Sequence, residues 1–106
     1  MQRRLTVTTA RTDVYDRPVS ARVSSLRAVL SLAGRENSRM VAATIGGHLD
    51  ALAGEAPRRP ALADATEAVR DASFGFLTSL HGRGDIHDAR RQALTSVDHL
   101  EACLAA

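Results

Sequence analysis

The sequence has few of the residues that stabilise many small proteins. Tryptophan and lysine are absent from its 106 residues, Cys103 is the only cysteine, and Tyr15, Phe74 and Phe76 are the only aromatic residues. A disulfide within the chain is therefore excluded, and the core has to be built from Leu, Val, Ile and Ala, which each bury a modest apolar area. A thin core of this kind favours self-association, because a second buried face adds stability.

Long hydrophobic runs are also missing. No segment is long and apolar enough to cross a bilayer. Residues 1–9 have the basic start of a signal peptide, but threonines interrupt any apolar region that would follow. The length fits one domain. We therefore expect a single-domain cytoplasmic protein without membrane association.

Patterns typical of catalysis do not occur either. The sequence has no nucleophile elbow, phosphate-binding glycine loop or dinucleotide fingerprint. No Glu-x-x-His pair of the kind found in di-metal bundles is present. His99 and Cys103 have a spacing that can place two zinc ligands on one helix face, but we interpret them as a solvated histidine beside a small buried thiol. We expect no enzymatic activity, no cofactor and no metal site.

The clearest helical pattern runs from residue 85 to the last residue. Its apolar residues recur at steps of three and four: Ile86, Ala89, Ala93, Val97, Leu100 and Leu104. Asp85 follows Gly84 and is expected to cap the first free amides of this helix with its side-chain oxygen. A single narrow apolar stripe is not stable in water by itself, so the pattern also predicts neighbouring helices.

Three further helices are predicted upstream. Proline and glycine mark their boundaries, with starts at Pro18 and Pro60 and ends at Gly34, Gly54 and Gly82. Asn37 or Ser38 is expected to cap the second helix. Each of these helices also has one apolar stripe, which we call its seam. The three seams are Val19, Val23, Leu26, Leu30 and Ala33; Val41, Ile45, His48, Leu49 and Leu52; and Leu62, Ala65, Val69, Ala72, Phe76 and Leu80.

Short loops between these four helices favour antiparallel neighbours. The sequence therefore predicts an all-α, antiparallel up-and-down four-helix bundle over residues 17–106. A packing in which one or two helices are contributed to a dimer satisfies the same seams. Residues 1–16 lack a helical seam, carry Arg3, Arg4 and Arg11 among threonines, and are interpreted as a flexible basic arm or a short strand.

The second helix has two unusual features. Gly46 and Gly47 lie in its middle, at a cost of about 1 kcal/mol each relative to alanine. Ala43, Gly47 and Ala51 form a row of small residues that would let another helix backbone come close. His48 lies within the apolar seam and is interpreted as a core or interface histidine with one hydrogen bond, the alternative being a pH-sensitive or ligand-binding role.

Charge is distributed unevenly along the chain. Residues 1–59 contain ten arginines and five acidic residues, a net +5, whereas residues 60–106 contain four arginines and seven acidic residues, a net −3. The two halves either neutralise each other within a bundle or dimer, or offer a basic surface to nucleic acid. In the nucleic-acid alternative, phosphates would be contacted by Arg3, Arg4, Arg11, Arg35, Arg39, Arg58 and Arg59.

Phe74 falls off the predicted seam, roughly opposite Phe76 on the helical wheel, with Leu77 on its flank. In a chain with so few aromatic residues, an exposed phenylalanine is a candidate anchor for a partner. We therefore predict that Phe74 and Leu77 bind a second subunit or another protein. The expected function is a non-catalytic regulatory, adaptor or assembly role through protein–protein interaction, with a homo-oligomer and an unidentified protein as partners; the alternative is a nucleic-acid-binding regulator.

Overall fold

The chain folds into helices that pack around one apolar core. The computed structural model describes residues 21–54, 59–82 and 84–105. Helix α1 covers residues 21–32 of this described chain, α2 is Ser38–Ala53, α3 is Pro60–Ser79 and α4 is Ile86–Ala105, with no strand in these ranges. The all-α prediction is confirmed. The predicted arm at residues 1–16 and the predicted start of α1 at Pro18 lie outside the described residues.

The four helices follow one another around the core. α3 packs between α2 and α4. α1 contacts α2 where Ser25 meets His48, and it contacts α4 where Arg27 meets Asp98. Each helix therefore lies beside the next in the sequence and α4 lies beside α1, which is the predicted antiparallel up-and-down bundle.

The core consists of most of the predicted seam residues of the described chain and one addition, Leu77, whereas His48, Ala72, Ile86, Ala89 and Leu104 are only partly buried. Its members are Val23, Leu26, Leu30, Ala33, Val41, Ile45, Leu49, Leu52, Leu62, Ala65, Val69, Phe76, Leu77, Leu80, Ala93, Val97 and Leu100. α3 buries a second row of side chains that includes Thr66, Ser73 and Leu77. It buries this wider surface because it packs against both α2 and α4.

Two helix starts agree with the sequence predictions. Pro60 is the first residue of α3, a position where its missing N–H would have no intrahelical partner anyway. The Asp85 carboxylate accepts a hydrogen bond from the Asp88 backbone amide at 3.0 Å and so caps α4. At the end of α2, Gly54 has φ −61° and ψ −22°, so this turn does not require a left-handed residue.

Asn37 is the N-cap residue of α2, one of the two predicted, but its side chain bonds to the end of α1. Neither Asn37 nor Ser38 caps α2 through its side chain. Instead the Asn37 side chain accepts a hydrogen bond from the Gly34 amide at 2.7 Å and donates one to the Leu32 carbonyl at 3.0 Å. Its amide thus satisfies polar groups at the end of α1 and makes no side-chain cap hydrogen bond to α2.

Candidate protein-binding surface

Phe74 is the exposed aromatic residue of the described chain, with 36% of its surface accessible, but Leu77 is not beside it in solvent. Leu77 is only 6% exposed and belongs to the core. The sequence prediction placed both residues on one outer surface, and this is corrected for Leu77. The error arose because a single seam was assigned to α3, whereas its buried surface is wide enough to include Leu77.

The position of Phe74 relative to α2 follows from the pairing of the two helices. Arg70 of α3 donates a hydrogen bond to Asp50 of α2 at 3.2 Å. Because the helices are antiparallel, four residues forward from Arg70 correspond to four residues back from Asp50. Phe74 lies one turn from Arg70 on the same side of α3, so it lies at the edge of α3 next to α2, level with Gly46.

The neighbouring outer surface of α2 is apolar and flat. Met40 is 65% exposed, and Ala43, Gly47 and Ala51 are exposed beside it. The row of small residues was predicted to admit another helix, but no helix of the described chain occupies it. A Cβ atom added at Gly47 would meet no atom within 4 Å. We define the α2–α3 face as Met40, Ala43, Gly47, Ala51 and Phe74.

Charged residues lie at the two ends of this face. Arg39 is exposed in the first turn of α2. Asp50 lies near the other end of α2 and is 77% exposed while it pairs with Arg70. Glu67 lies 3.7 Å from the Arg70 guanidinium. The α2–α3 face therefore has an apolar centre and a charged periphery, an arrangement typical of protein interfaces.

The arginines predicted to contact nucleic acid do not form one cluster in the described chain. Arg35 and Arg39 lie near the start of α2, and Arg35 donates a hydrogen bond to the Leu80 carbonyl at 2.7 Å. Arg59 lies beyond the opposite end of this 16-residue helix, a separation of about 24 Å along the axis. The remaining candidates are outside the described residues: Arg3, Arg4, Arg11 and Arg58.

His48 makes two hydrogen bonds to α1 rather than the single one predicted. Its Nδ1 lies 3.2 Å from Arg22 and its Nε2 lies 2.9 Å from the Ser25 hydroxyl. A guanidinium group can only donate, so Nδ1 must accept and Nε2 carries the proton that is donated to Ser25. Burial, together with the charge of Arg22, lowers the pKa of His48. The ring is thus held neutral between α1 and α2.

His99 and Cys103, the two possible zinc ligands of the sequence, contact each other along α4. The Cys103 sulfur lies 4.0 Å from His99 Nε2. Within the ranges that the structure describes, no group of three or more His, Cys, Asp and Glu residues could hold a metal ion. Structural zinc sites use four protein ligands. The pair therefore forms at most a weak side-chain contact along α4.

Arg27 joins α1 to α4 through two acidic residues, a contact that sequence reasoning missed. Its guanidinium donates to Asp98 at 2.8 Å and to Glu101 at 2.9 Å. The hydrogen bonds that Arg27 donates to Glu101 lower the pKa of Glu101, and the bonds that Glu101 and Asp98 accept raise the pKa of Arg27. The spacing of Asp98 and Glu101 on one helix face was visible in the sequence, but the helix that faces them was not.

Ser38 and His81 connect the start of α2 to the turn after α3. The Ser38 hydroxyl lies 2.8 Å from His81 Nε2 and 3.3 Å from the Arg35 carbonyl. A serine beside a histidine is also the start of a nucleophile–base pair. Among the described residues, however, no carboxylate hydrogen-bonds to His81 to orient it. The contact therefore serves to hold the start of α2 and the turn after α3 at the same end of the bundle.

Comparison with known proteins gives no relative: no protein-family model, curated protein or solved structure matches the chain. Across the residues that the structure describes, none of the helices has the length and apolar character needed to span a bilayer. Function is therefore inferred from the surface of the bundle itself, where the α2–α3 face contains two of the three large apolar side chains that are exposed in the described chain.

Proposed function

We propose that this protein acts by binding another protein through the α2–α3 face, in a regulatory, adaptor or assembly role, and not by catalysis. The observation that supports this proposal is the exposure of Met40 on α2 and of Phe74 on α3. Leaving apolar surface in water costs about 25 cal/mol per Å² relative to burying it. Buried aromatic anchors also dominate the energetics of many interfaces.

The chemistry of this surface suits binding better than catalysis. Its small residues, Ala43, Gly47 and Ala51, offer neither an acid, a base nor a nucleophile. The charged residues that α2 contributes, Arg39 and Asp50, lie toward its ends. A flat apolar centre excludes water when a complementary surface covers it, and the charged periphery selects the partner.

The nucleic-acid alternative has weaker support. Its affinity would come from several cations that neutralise neighbouring phosphates. The described candidates are Arg35 and Arg39 at one end of α2 and Arg59 beyond the other. Arg35 is also engaged with the Leu80 carbonyl. Because these arginines are far apart, they cannot neutralise a continuous run of phosphates together, and the expected affinity for nucleic acid is low.

The central experiment replaces Phe74 with glutamate. A charge at the centre of an apolar interface is expected to weaken association at least tenfold, because it must be desolvated without a partner. Multi-angle light scattering measures self-association, and capture from a native cell extract measures binding of other proteins. Circular dichroism should show an unchanged helical content, because the ring is partly exposed and outside the core.

Leu32→Glu is the matched control, since Leu32 is 75% exposed near the end of α1 and lies outside the α2–α3 face. This variant should keep the wild-type mass and the wild-type set of captured proteins. If Phe74→Glu also keeps both, the proposed function is wrong. Salt-sensitive binding of labelled DNA or RNA that weakens on Arg39→Gln would favour the nucleic-acid alternative instead.

A further inference from the structure

We infer that the partner on the α2–α3 face is a second copy of this chain, bound so that the two α2 helices pack antiparallel across a two-fold axis. This inference rests on the proposed function and adds to it the identity and orientation of the partner. A two-fold interface uses the same surface on both subunits, so that surface must be complementary to itself. The α2–α3 face meets this condition in its charges and in its shape.

The charges on α2 are complementary in one orientation only. Arg39 and Asp50 are both exposed and lie eleven residues apart, about 16 Å along the helix. When two α2 helices run antiparallel and cross between residues 44 and 45, each Arg39 lies beside Asp50 of the other copy. A parallel arrangement would place like charges together, which is unfavourable.

Asp50 can accept this second contact without losing its first. One of its carboxylate oxygens accepts the hydrogen bond from Arg70 at 3.2 Å, and the group is 77% exposed. A carboxylate has acceptor sites on both oxygens. The Asp50 side chain can therefore bridge Arg70 of its own chain and Arg39 of the second copy, forming a charged group at each end of the interface.

The shape of the face supports the same crossing point of the two α2 helices. The crossing point between residues 44 and 45 falls beside Ala43 and Gly47, where small side chains let two helix axes come close. Phe74 is level with Gly46, so its ring lies at the height of the proposed two-fold axis, on the α3 side of it. Interface anchors concentrate near the centre, where surrounding contacts exclude water. Charge pairs at the ends and an aromatic ring near the axis thus follow from one arrangement.

The glycines in the middle of α2 gain an explanation from this packing. Gly46 and Gly47 weaken the helix, and nothing in the described chain requires them, because a Cβ at either position would meet no atom within 4 Å. A second helix backbone that crosses at this level would come close to α2 only because these two positions have no side chain. The face consists of one side of α2 and a single side chain of α3, so the interface is small and we expect weak association, with a dissociation constant on the order of micromolar.

Charge reversal tests the pairing directly. Arg39→Asp and Asp50→Arg each place like charges together in a homodimer and should raise the dissociation constant at least tenfold. The double variant, and an equimolar mixture of the two single variants, restores opposite charges at both ends and should return it to within about threefold of wild type. Sedimentation velocity at low salt over a wide concentration range provides the measurement.

Arg70→Gln is the control for the internal pair that Asp50→Arg also breaks. It should leave the dissociation constant near the wild-type value, and failure of the double variant to recover would overturn the antiparallel pairing. If both charge reversals leave the dissociation constant unchanged but Phe74→Glu abolishes the dimer, the antiparallel pairing is overturned and the proposed function is still supported. A strictly monomeric chain that captures another protein through Phe74 would overturn the second-copy inference alone.

Discussion

His48 shows how a single residue links local chemistry to the stability of the bundle. The ring bridges Arg22 and Ser25 of α1, and the contact with Arg22 requires a neutral ring whose Nδ1 accepts. Protonation would place a positive charge next to the Arg22 guanidinium in a partly buried position. The pKa of His48 therefore lies below its ordinary value of 6.5 in the folded chain. Because the unfolded chain takes up the proton first as pH falls, acid favours unfolding.

We therefore expect the free energy of unfolding to decrease as pH falls below about 6.5, the ordinary histidine pKa. Above that pH the ring is neutral in both states, so its contribution to the free energy of unfolding no longer changes with pH. His48→Gln should reduce that acid dependence, since glutamine does not titrate there. Urea unfolding followed by circular dichroism at several pH values is the measurement. His87→Gln, at an exposed position of α4, is the control and should retain the wild-type dependence. Identical pH profiles for wild type and His48→Gln would contradict this assignment.

At the scale of the element, α2 has an inner surface that its own chain explains and an outer surface that it does not. Val41, Ile45, Leu49 and Leu52 are buried as the seam predicts. On the outer side, the mid-helix glycines have open space around their missing side chains. A helix that tolerates this cost without an internal contact is consistent with the proposed packing against a second copy.

Gly46→Ala and Gly47→Ala should each stabilise the isolated chain by about 0.5 to 1 kcal/mol, because alanine favours the helix and reduces the entropy of the unfolded state. Chemical unfolding at concentrations too low for association measures this effect. Gly54→Ala is a useful comparison, since its Cβ would lie 3.2 Å from the Ala51 carbonyl oxygen and should gain less. Destabilisation by both mid-helix substitutions would show that an internal contact needs these glycines.

At the scale of the whole molecule, Arg90 joins three helices at one end of the bundle. From α4 its guanidinium donates to the Ala33 carbonyl, at 2.8 Å, beyond the end of α1. The same group lies over the Phe76 ring of α3, 5.0 Å from the centroid. The charge thus satisfies a carbonyl at a helix end and interacts with the face of a core aromatic ring. Loss of this side chain should therefore loosen the contacts among all three elements.

Arg90→Met keeps much of the side-chain bulk but removes both polar interactions, and we expect it to destabilise the chain by about 1 to 3 kcal/mol. Arg91→Met is the matched control: Arg91 is exposed and pairs with Asp88 of its own helix, a contact worth about 0.2 to 0.5 kcal/mol. Thermal unfolding of the two variants side by side measures the difference. Equal small effects would contradict the proposed role of Arg90.

Features that depend on residues close in the chain were predictable. Spacings of three and four set the helices and almost the whole core, because a helix places such residues on one face whatever its neighbours are. Asp85 was recognised as a cap for the same reason, since its partner Asp88 is three residues away. Phe74 was recognised as exposed because it lies off the seam of α3.

Tertiary structure decided the features that depend on which element lies opposite. Leu77 became a core residue because α3 contacts two neighbours, and Asn37 turned toward α1 because the tight connection brings that helix end within reach. Arg27 and Arg90 found partners more than fifty residues away. The sequence by itself therefore determined the helices and their apolar stripes through short-range periodicity. Only the packed bundle determined which polar groups meet and which apolar surface remains exposed, because both depend on neighbours that are distant in the chain.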